Sequence, residues 1–317
     1  MKVLNSGMNI KMKSKSFNIL VLDGGGSKGL YSLGILYELE QKLGGTLSNH
    51  FKLIYGTSTG SIIASLLALG KSVSEIKELY VKFIPEIMSQ NGKTKKSKKL
   101  NELANEIYRD LGFSEFKTDV GIVALNYDTQ NPLIFKSNIN QTHGMQQTFL
   151  PGFGCTISDA VQASSSAYPI FNLKSVKTKN QGVINTADGG FIANNSTLFA
   201  LIDADKAFKI KKEHINVVSV GTGKFIEKPM KGIAKYLKYF KITKFVEKIL
   251  LSSTNTNVIL SKLLYKDIDI IRINDTFNEP EYGTNMTEKD LIKLEKLYQL
   301  GRNSYASKEK ELNIMFG

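Results

Sequence analysis

Phe17-Asn-Ile-Leu-Val-Leu-Asp-Gly-Gly-Gly-Ser-Lys-Gly29 is the stretch from which the fold is read. An apolar run, Ile19 to Leu22, ends in one acid, Asp23, and three consecutive glycines, Gly24, Gly25 and Gly26. Leu30, Leu33, Leu36, Leu39 and Leu43 then recur at helical spacing. The order is that of a buried strand, a tight turn and a helix start. Glycines in such a turn let the backbone approach a ligand closely and aim several N–H groups one way, at the positive end of a helix. The loop therefore suits something negative: a phosphate, or the oxygen of a collapsing ester.

The next strand separates these two readings. Phe51 to Tyr55 runs into Gly56-Thr57-Ser58-Thr59-Gly60, and Ile62, Ile63, Leu66, Leu67 and Leu69 then form a helix apolar enough to be buried. This is Gly-x-Ser-x-Gly in a strand–turn–helix setting, the nucleophile elbow, which lifts a serine hydroxyl above the sheet. The plainer alternative is a Ser/Thr-rich helix cap. Gly24, Gly26 and Gly29 also spell Gly-x-Gly-x-x-Gly. A dinucleotide site, however, wants an acid at the end of the second strand, where this chain has the serine elbow. A Walker loop is excluded because Lys28 is followed by Gly29 and the glycine spacing is wrong. Gly24-Gly25-Gly26, with Ser27, Lys28 and Gly29 behind them, is thus read as an oxyanion hole. The Gly25 and Gly26 amides would face the oxygen that becomes charged when Ser58 attacks a carbonyl.

A serine nucleophile needs a base. The histidines, His50, His143 and His214, have no motif around them, whereas Asp188 sits in Ala187-Asp188-Gly189-Gly190. A glycine turn can hold a carboxylate rigidly beside the elbow. An Asp acting directly as base is weak at its free pKa of about 3.9, so burial must raise it or geometry must compensate. Taken alone, Asp-Gly-Gly is also an ordinary turn sequence. A Ser58–Asp188–His214 triad, in the chain order of the α/β-hydrolases, is the competing design.

The rest of the chain alternates strands and helices. Strands are expected at Val120 to Asn126, Leu133 to Lys136, Ile215 to Val220 and Ile268 to Ile273, and Gly182 to Ile184 leads into Ala187-Asp188-Gly189-Gly190. Ser72 with Glu75 marks a capping box, the Lys-rich stretch Gly92 to Lys99 reads as an exposed loop, and Thr287 to Leu300 as a late helix. The pattern predicts an α/β fold, a three-layer α/β/α sandwich with a largely parallel central sheet. Residues 1–16 read as a flexible tail and 17–317 as a single domain, with the motifs in 17–195. The remainder, 196–317, carries a basic amphipathic segment over 228–251. There lysines recur every three or four residues between Ile233, Leu237, Phe240, Phe245 and Ile249. Such a helix lies on an anionic lipid surface, or packs its apolar face on the core with the lysines in water.

The formal net charge is +13, and only Arg109, Arg272 and Arg302 are arginines. Lysine is a hydrated point charge, while arginine supplies the planar fork that reads bases. The balance suits diffuse attraction to a polyanionic surface, such as an anionic headgroup layer, and argues against sequence-specific nucleic-acid recognition. A lone Cys155 excludes an internal disulfide, and no apolar run approaches the roughly 20 residues of a membrane span. A cytoplasmic protein, peripheral to the membrane, is expected.

The ordered set Asp-Gly-Gly-Gly-x-x-Gly, Gly-x-Ser-x-Gly about thirty residues on, and a later Asp-Gly-Gly resembles the patatin-like phospholipase family. Ala163-Ser-Ser-Ser-Ala-Tyr-Pro169 and Phe171 resemble that family's segment between serine and aspartate. The likeness runs from about Phe17 to Asn195. It implies a lipid acyl hydrolase using a Ser–Asp dyad, Ser58 as nucleophile and Asp188 as base, with an oxyanion hole at the glycine loop and no metal or cofactor. Where the family commonly has Arg in that loop, this chain has Lys28, which keeps the charge but not the planar fork. Bacterial proteins of this kind and size are similar to phospholipase effectors of anti-phage signalling that a cyclic nucleotide switches on. The reading from another class is a non-catalytic basic module holding an anionic ligand at the glycine loop.

Overall fold

The computed structural model describes residues 16–226 and 242–317. Residues 1–15 of the expected tail and 228–241 of the basic segment lie outside the described residues. In chain order the strands are β1 (Phe17–Leu22), β2 (Leu53–Thr57), β3 (Asp119–Asn126), β4 (Asn131–Lys136), β5 (Lys174–Lys177), β6 (Val183–Asp188), β7 (Ile215–Val220), β8 (Lys224–Phe225), β9 (Asp269–Ile273) and β10 (Thr276–Phe277). The helices that position the site are α1 (Gly29–Leu43), α2 (Thr59–Ala68), α3 (Val73–Met88), α4 (Lys93–Tyr108), α5 (Ile157–Ser164), α6 (Gly190–Ala193) and α7 (Thr197–Ile202). Two later helices, Ile242–Leu264 and Leu291–Ala306, flank them.

β1 is a continuous apolar run because both of its faces are covered. Leu20 and Leu22 pack with Leu33, Leu36, Ile63 and Leu67 in one layer, while Ile19 and Val21 meet Ala200 and Leu201 of α7 in the other. Parallel pairing joins β1 to β2 and β7, β7 to β9 and β2 to β3. Antiparallel strands complete the sheet, since β4 and β6 both pair with β3, and β5 pairs with β6. The short β8 and β10 form a separate parallel pair.

One consequence of this register sets up the site. β4 occupies one flank of β3 over Gly121 to Asn126, so β2 and β6 must share the other flank. β2 takes its first part, ending with Thr57 opposite Val123. β6 takes its last part, running the opposite way and ending with Asp188 opposite Ala124. Two strands therefore meet head to head, and the residues at their C-terminal ends, Ser58 and Asp188, are brought together by adjacent rungs of β3.

The capping box forms as expected: Ser72 Oγ accepts the Glu75 N–H at 3.3 Å, and the Glu75 carboxylate accepts the Ser72 N–H at 2.8 Å. The stretch Gly92 to Lys99 is corrected from loop to helix, because Lys93 to Lys99 are the first two turns of α4. Lysine is a good helix former when its head stays in water. Lys96 folds back onto the carbonyls of Met88 and Gln90, closing the α3–α4 connection. The late helix starts at Leu291, four residues beyond the expected Thr287, where the Asp290 carboxylate caps the Ile292 N–H at 2.9 Å. In the described part of the basic segment, Val246 and Leu250 are buried on the protein, which is the core-facing arrangement, and Phe245 stays exposed.

Helices α1 and Leu291–Ala306 cross where glycine replaces a side chain on both. A Cβ on Gly301 would sit 2.0 Å from the Tyr31 carbonyl oxygen, and one on Gly34 2.1 Å from that of Tyr298. The backbones themselves are in contact, so no rotamer can relieve a larger residue. Gly301→Leu should cost about 3 kcal/mol or more, the upper end for overpacked cores, read as a lower midpoint in urea unfolding.

Candidate active site

Ser58 follows β2 directly and caps α2 with φ 53° and ψ −124°. A non-glycine residue there carries backbone strain of about 1–3 kcal/mol, which persists only if its surroundings fix it. They do. The Ser58 N–H donates to Ser164 Oγ at 2.8 Å, and Ser164 Oγ in turn donates to the Val123 carbonyl at 2.5 Å. Ser61 Oγ donates to the Ser58 carbonyl at 2.7 Å, and Thr57 Oγ1 to the Ala193 carbonyl at 2.8 Å. Both motif glycines are required by contact. A Cβ on Gly56 would lie 2.3 Å from the Gly60 carbonyl oxygen, and one on Gly60 2.2 Å from that of Leu22.

Asp188 is 0 % exposed, and its Oδ2 accepts a 2.6 Å hydrogen bond from Ser58 Oγ. Its Oδ1 accepts the Gly190 N–H at 2.7 Å. Burial pushes this carboxyl up to about 7, against the pull of the two hydrogen bonds. A carboxylate poised near neutrality can take a serine proton, which one at the ordinary 3.8 does poorly. Gly189 and Gly190 leave room for this packing. A Cβ on Gly189 would meet the Val123 carbonyl oxygen at 2.0 Å, and one on Gly190 would meet Leu250 at 2.5 Å.

The glycine loop lies on the other side of the serine. A Cβ on Gly24 would come within 3.0 Å of Ser58 Cβ, so the two turns touch. Gly24 cannot act as an oxyanion donor in this arrangement, because its N–H donates to the Asn194 carbonyl at 3.2 Å. Ser27 is also engaged, its N–H donating to the Met286 carbonyl at 3.0 Å. The N–H groups of Gly25 and Gly26 have no acceptor among the described residues. Gly26 takes φ +57°, and a Cβ there would strike the Met286 carbonyl oxygen at 2.1 Å. Tyr80 donates to the Gly26 carbonyl at 2.5 Å and bonds the Thr59 hydroxyl, tying the loop to the elbow. A Cβ on Gly29 would run into that phenol.

Lys28 does not face the serine. It is buried, with Nζ 2.6 Å from Glu247 Oε1 on helix Ile242–Leu264, and so fastens that helix to the loop. Asp23 is likewise structural. Arg272 of β9 forks onto both its oxygens at 2.9 and 2.5 Å, and Asn195 donates to it at 2.7 Å. Asn194 adds Nδ2 contacts to the Gly24 carbonyl at 3.1 Å and to Thr254 at 2.8 Å. Sequence reading passed over Arg272, Asn194, Asn195, Tyr80 and Ser164. The one available signal was an arginine placed within an apolar strand of a chain that otherwise uses lysine.

None of the histidines is at this end of the sheet. His214 precedes β7, whose six residues at about 3.3 Å each put it on the order of 20 Å from the Ser58 end. His143 Nε2 is 2.9 Å from Asp203, and His50 bonds the Gly44 carbonyl at 2.6 Å. The Ser–Asp–His alternative therefore lacks its third member. No group of three or more His, Cys, Asp or Glu among the described residues is placed to hold a metal ion. Beside Ser58 lies a cavity of about 40 Å³ between Gly26, Ile62, Ile87, Phe171 and Met286. Its walls are mostly apolar, and at this volume it holds no more than a few waters.

The model that describes patatin-like phospholipases matches residues 20–201, more than half of the chain. The protein belongs to the patatin-like phospholipase family. It is a lipid acyl ester hydrolase. A cUMP-AMP-activated phospholipase of Escherichia coli is 43% identical over 294 residues, covering 93% of this chain and 92% of the relative. A cGAMP-activated phospholipase of Pseudomonas aeruginosa is 29% identical over 220 residues, covering 65% of this chain and 62% of its own length. VipD from Legionella pneumophila shares the fold, with a TM-score of 0.52 at 14% identity, over 92% of this chain and 66% of VipD.

The Asp23–Arg272 pair is the first interaction to test for stability. Arg272→Ala leaves a buried carboxylate without its partner and should cost about 3–5 kcal/mol in chemical unfolding. Adding Asp23→Asn, which removes the orphaned charge, should return a large part of it.

Proposed function

We propose that this patatin-like hydrolase cleaves fatty-acyl esters of membrane phospholipids with Ser58 as nucleophile and Asp188 as base. The observation that carries the reading is the 2.6 Å hydrogen bond from Ser58 Oγ to an entirely buried Asp188. Asp188 takes the proton as Ser58 Oγ bonds to the ester carbonyl carbon. The Gly25 and Gly26 amides receive the oxyanion, the alcohol leaves with the proton, and water then releases the fatty acid from the acyl-enzyme. The strained elbow and the glycine loop hold these groups before substrate arrives, where preorganised donors act most strongly.

The protein acts at the membrane surface, with the lysine excess drawing it to anionic headgroups. No helix among the described residues is long and apolar enough to cross a membrane. The enzyme is switched on by a cyclic dinucleotide, as an antiviral effector. The names of the two phospholipase relatives support this. Release of fatty acid from phosphatidylglycerol vesicles should be near background alone and rise at least about tenfold when cUMP-AMP is added. Equal rates with and without any cyclic dinucleotide would count against the switch.

Ser58→Ala should lower the activated rate on the order of 10⁴-fold or more and abolish labelling by a fluorophosphonate. A wild-type protein that no fluorophosphonate labels would favour the non-catalytic binding module. The base is read from pH. Because Asp188 must be ionised to accept the proton, kcat/KM should fall below an apparent pKa near 7, not near 3.8. The folded protein binds that proton more tightly than the unfolded chain, so Asp188 contributes least stability above pH 7. Asp188→Asn should thus be inactive yet have a Tm above wild type at pH 8, with the difference shrinking towards pH 4.

A further inference from the structure

Three consecutive serines, Ser164 at the end of α5 and Ser165 and Ser166 just after it, lie against the Ser58–Asp188 pair. Two of them are committed to the fold. Ser164 Oγ bridges the Val123 carbonyl and the Ser58 N–H, and Ser166 Oγ donates to the Gln162 carbonyl at 2.7 Å. Their own carbonyls accept the N–H groups of Gly189 and Asp188, at 3.2 and 3.0 Å. Ser165 lies between them, 8 % exposed, with a hydroxyl oxygen that is shut off from solvent and has no hydrogen-bond partner. A buried hydroxyl left unpaired costs about 1–3 kcal/mol, and folded proteins keep few of them.

The surroundings say what would pair with it. Ser165 lines the same cavity as Ser58 and Gly26, whose other walls are Ile, Leu, Met and Phe side chains. Of the hydroxyls that also border it, Thr59 is bonded to Tyr80 and Thr287 to Asn285. Ser165 thus brings an unpaired, buried hydroxyl to the wall of the cavity that Ser58 borders. The direction is fixed by the sheet. The glycine loop approaches Ser58 from the β1 side, whereas Ser164 and Ser166, on either side of Ser165, are bonded to Gly189 and Asp188 at the β3 side. An ester whose carbonyl oxygen points to Gly25 and Gly26 turns its acyl chain and its alcohol oxygen away from the glycine loop, and only with the alcohol oxygen on the Asp188 side can Asp188 return the proton to it.

We propose that the Ser165 hydroxyl binds the leaving-group oxygen of the substrate ester, a role that rests on the reading of Ser58 and Asp188 given above. In acylation the bond from Ser58 Oγ to the carbonyl carbon forms and the bond from that carbon to the alcohol oxygen breaks. The departing oxygen takes the proton that Asp188 received from Ser58. Ser165 keeps its own proton and donates a hydrogen bond to that oxygen while negative charge builds on it. The hydroxyl therefore matters most for a poor leaving group such as a glycerol alkoxide, and much less for a phenolate that leaves without help.

Ser165→Ala tests this with two esters of one fatty acid, a glycerol ester and a p-nitrophenyl ester, assayed with the cyclic dinucleotide present. The kcat/KM for the glycerol ester should drop about 10–100-fold, the scale of one lost charge-directed hydrogen bond. The loss on the p-nitrophenyl ester should be at least about fivefold smaller. Tm should be unchanged or higher, because the hydroxyl removed has no partner in the protein. Equal losses on both esters, no loss on either, or a lowered Tm would overturn the assignment. Ser58→Ala in the same assay keeps the two ideas apart. If it is as active as wild type, the dyad itself fails; if it is dead while Ser165→Ala matches wild type, only the role of Ser165 falls.

Discussion

A carboxylate buried at the meeting point of two strands is what the rest of this structure serves. Asp188 ends β6, Ser58 follows β2, and both strands lie on one flank of β3 because β4 holds the other. Burying an ionisable group this completely is costly unless it is hydrogen-bonded. The Ser58 hydroxyl and the Gly190 N–H supply the hydrogen bonds without supplying a charge. The carboxyl is consequently held but not neutralised by a cation, and burial prevails to bring it near neutrality. A salt-bridge partner in the same place would have pulled it the other way. The nearby Asp23, forked by Arg272, shows that contrast within one site: one acid is an anchor, the other is kept reactive.

Several features follow from keeping that junction tight. Glycines at 56, 60 and 189 stand where backbone meets backbone, and a methyl group at any of them would push the strands or the elbow apart. Ser164 fills the notch between the elbow and β3 with two hydrogen bonds. Helix Ile242–Leu264 closes the outside, with Leu250 against Gly190, Thr254 on Asn194 and Glu247 on Lys28. Val246 and Leu250 of the same helix are buried in the cluster that holds Phe171 and Met286, so apolar packing fixes it to the site beside these polar contacts.

The legible part of the site consisted of residues whose function demands a particular residue type at a short spacing. Ser58 between Gly56 and Gly60, the glycines after β1, and Asp188 before Gly189 were each identifiable because crowding at a turn admits only glycine and chemistry admits only a hydroxyl or an acid. What escaped were residues that work through distance in the chain. Arg272 reaches Asp23 across 249 positions, Glu247 reaches Lys28 across 219, and Asn194 reaches Gly24 across 170. Nothing local marks such a partner. Lys93 to Lys99 misled for a different reason: a run of charges looks like a loop, yet lysine suits a helix whose outer face is in water.

By itself the sequence determined the alternation of strand and helix and the two glycine turns, and it singled out Ser58 and Asp188, because apolar period and glycine crowding are local properties. It also left open a histidine triad, a three-amide oxyanion hole and the role of the Lys28 side chain. Tertiary structure decided all three. His214 stands at the wrong end of a strand, the Gly24 amide is taken by Asn194, and Lys28 is turned away to Glu247. Only the three-dimensional register could say so, since a hydrogen bond is spent or spare according to what the fold brings alongside, and that is not written in the spacing of a motif.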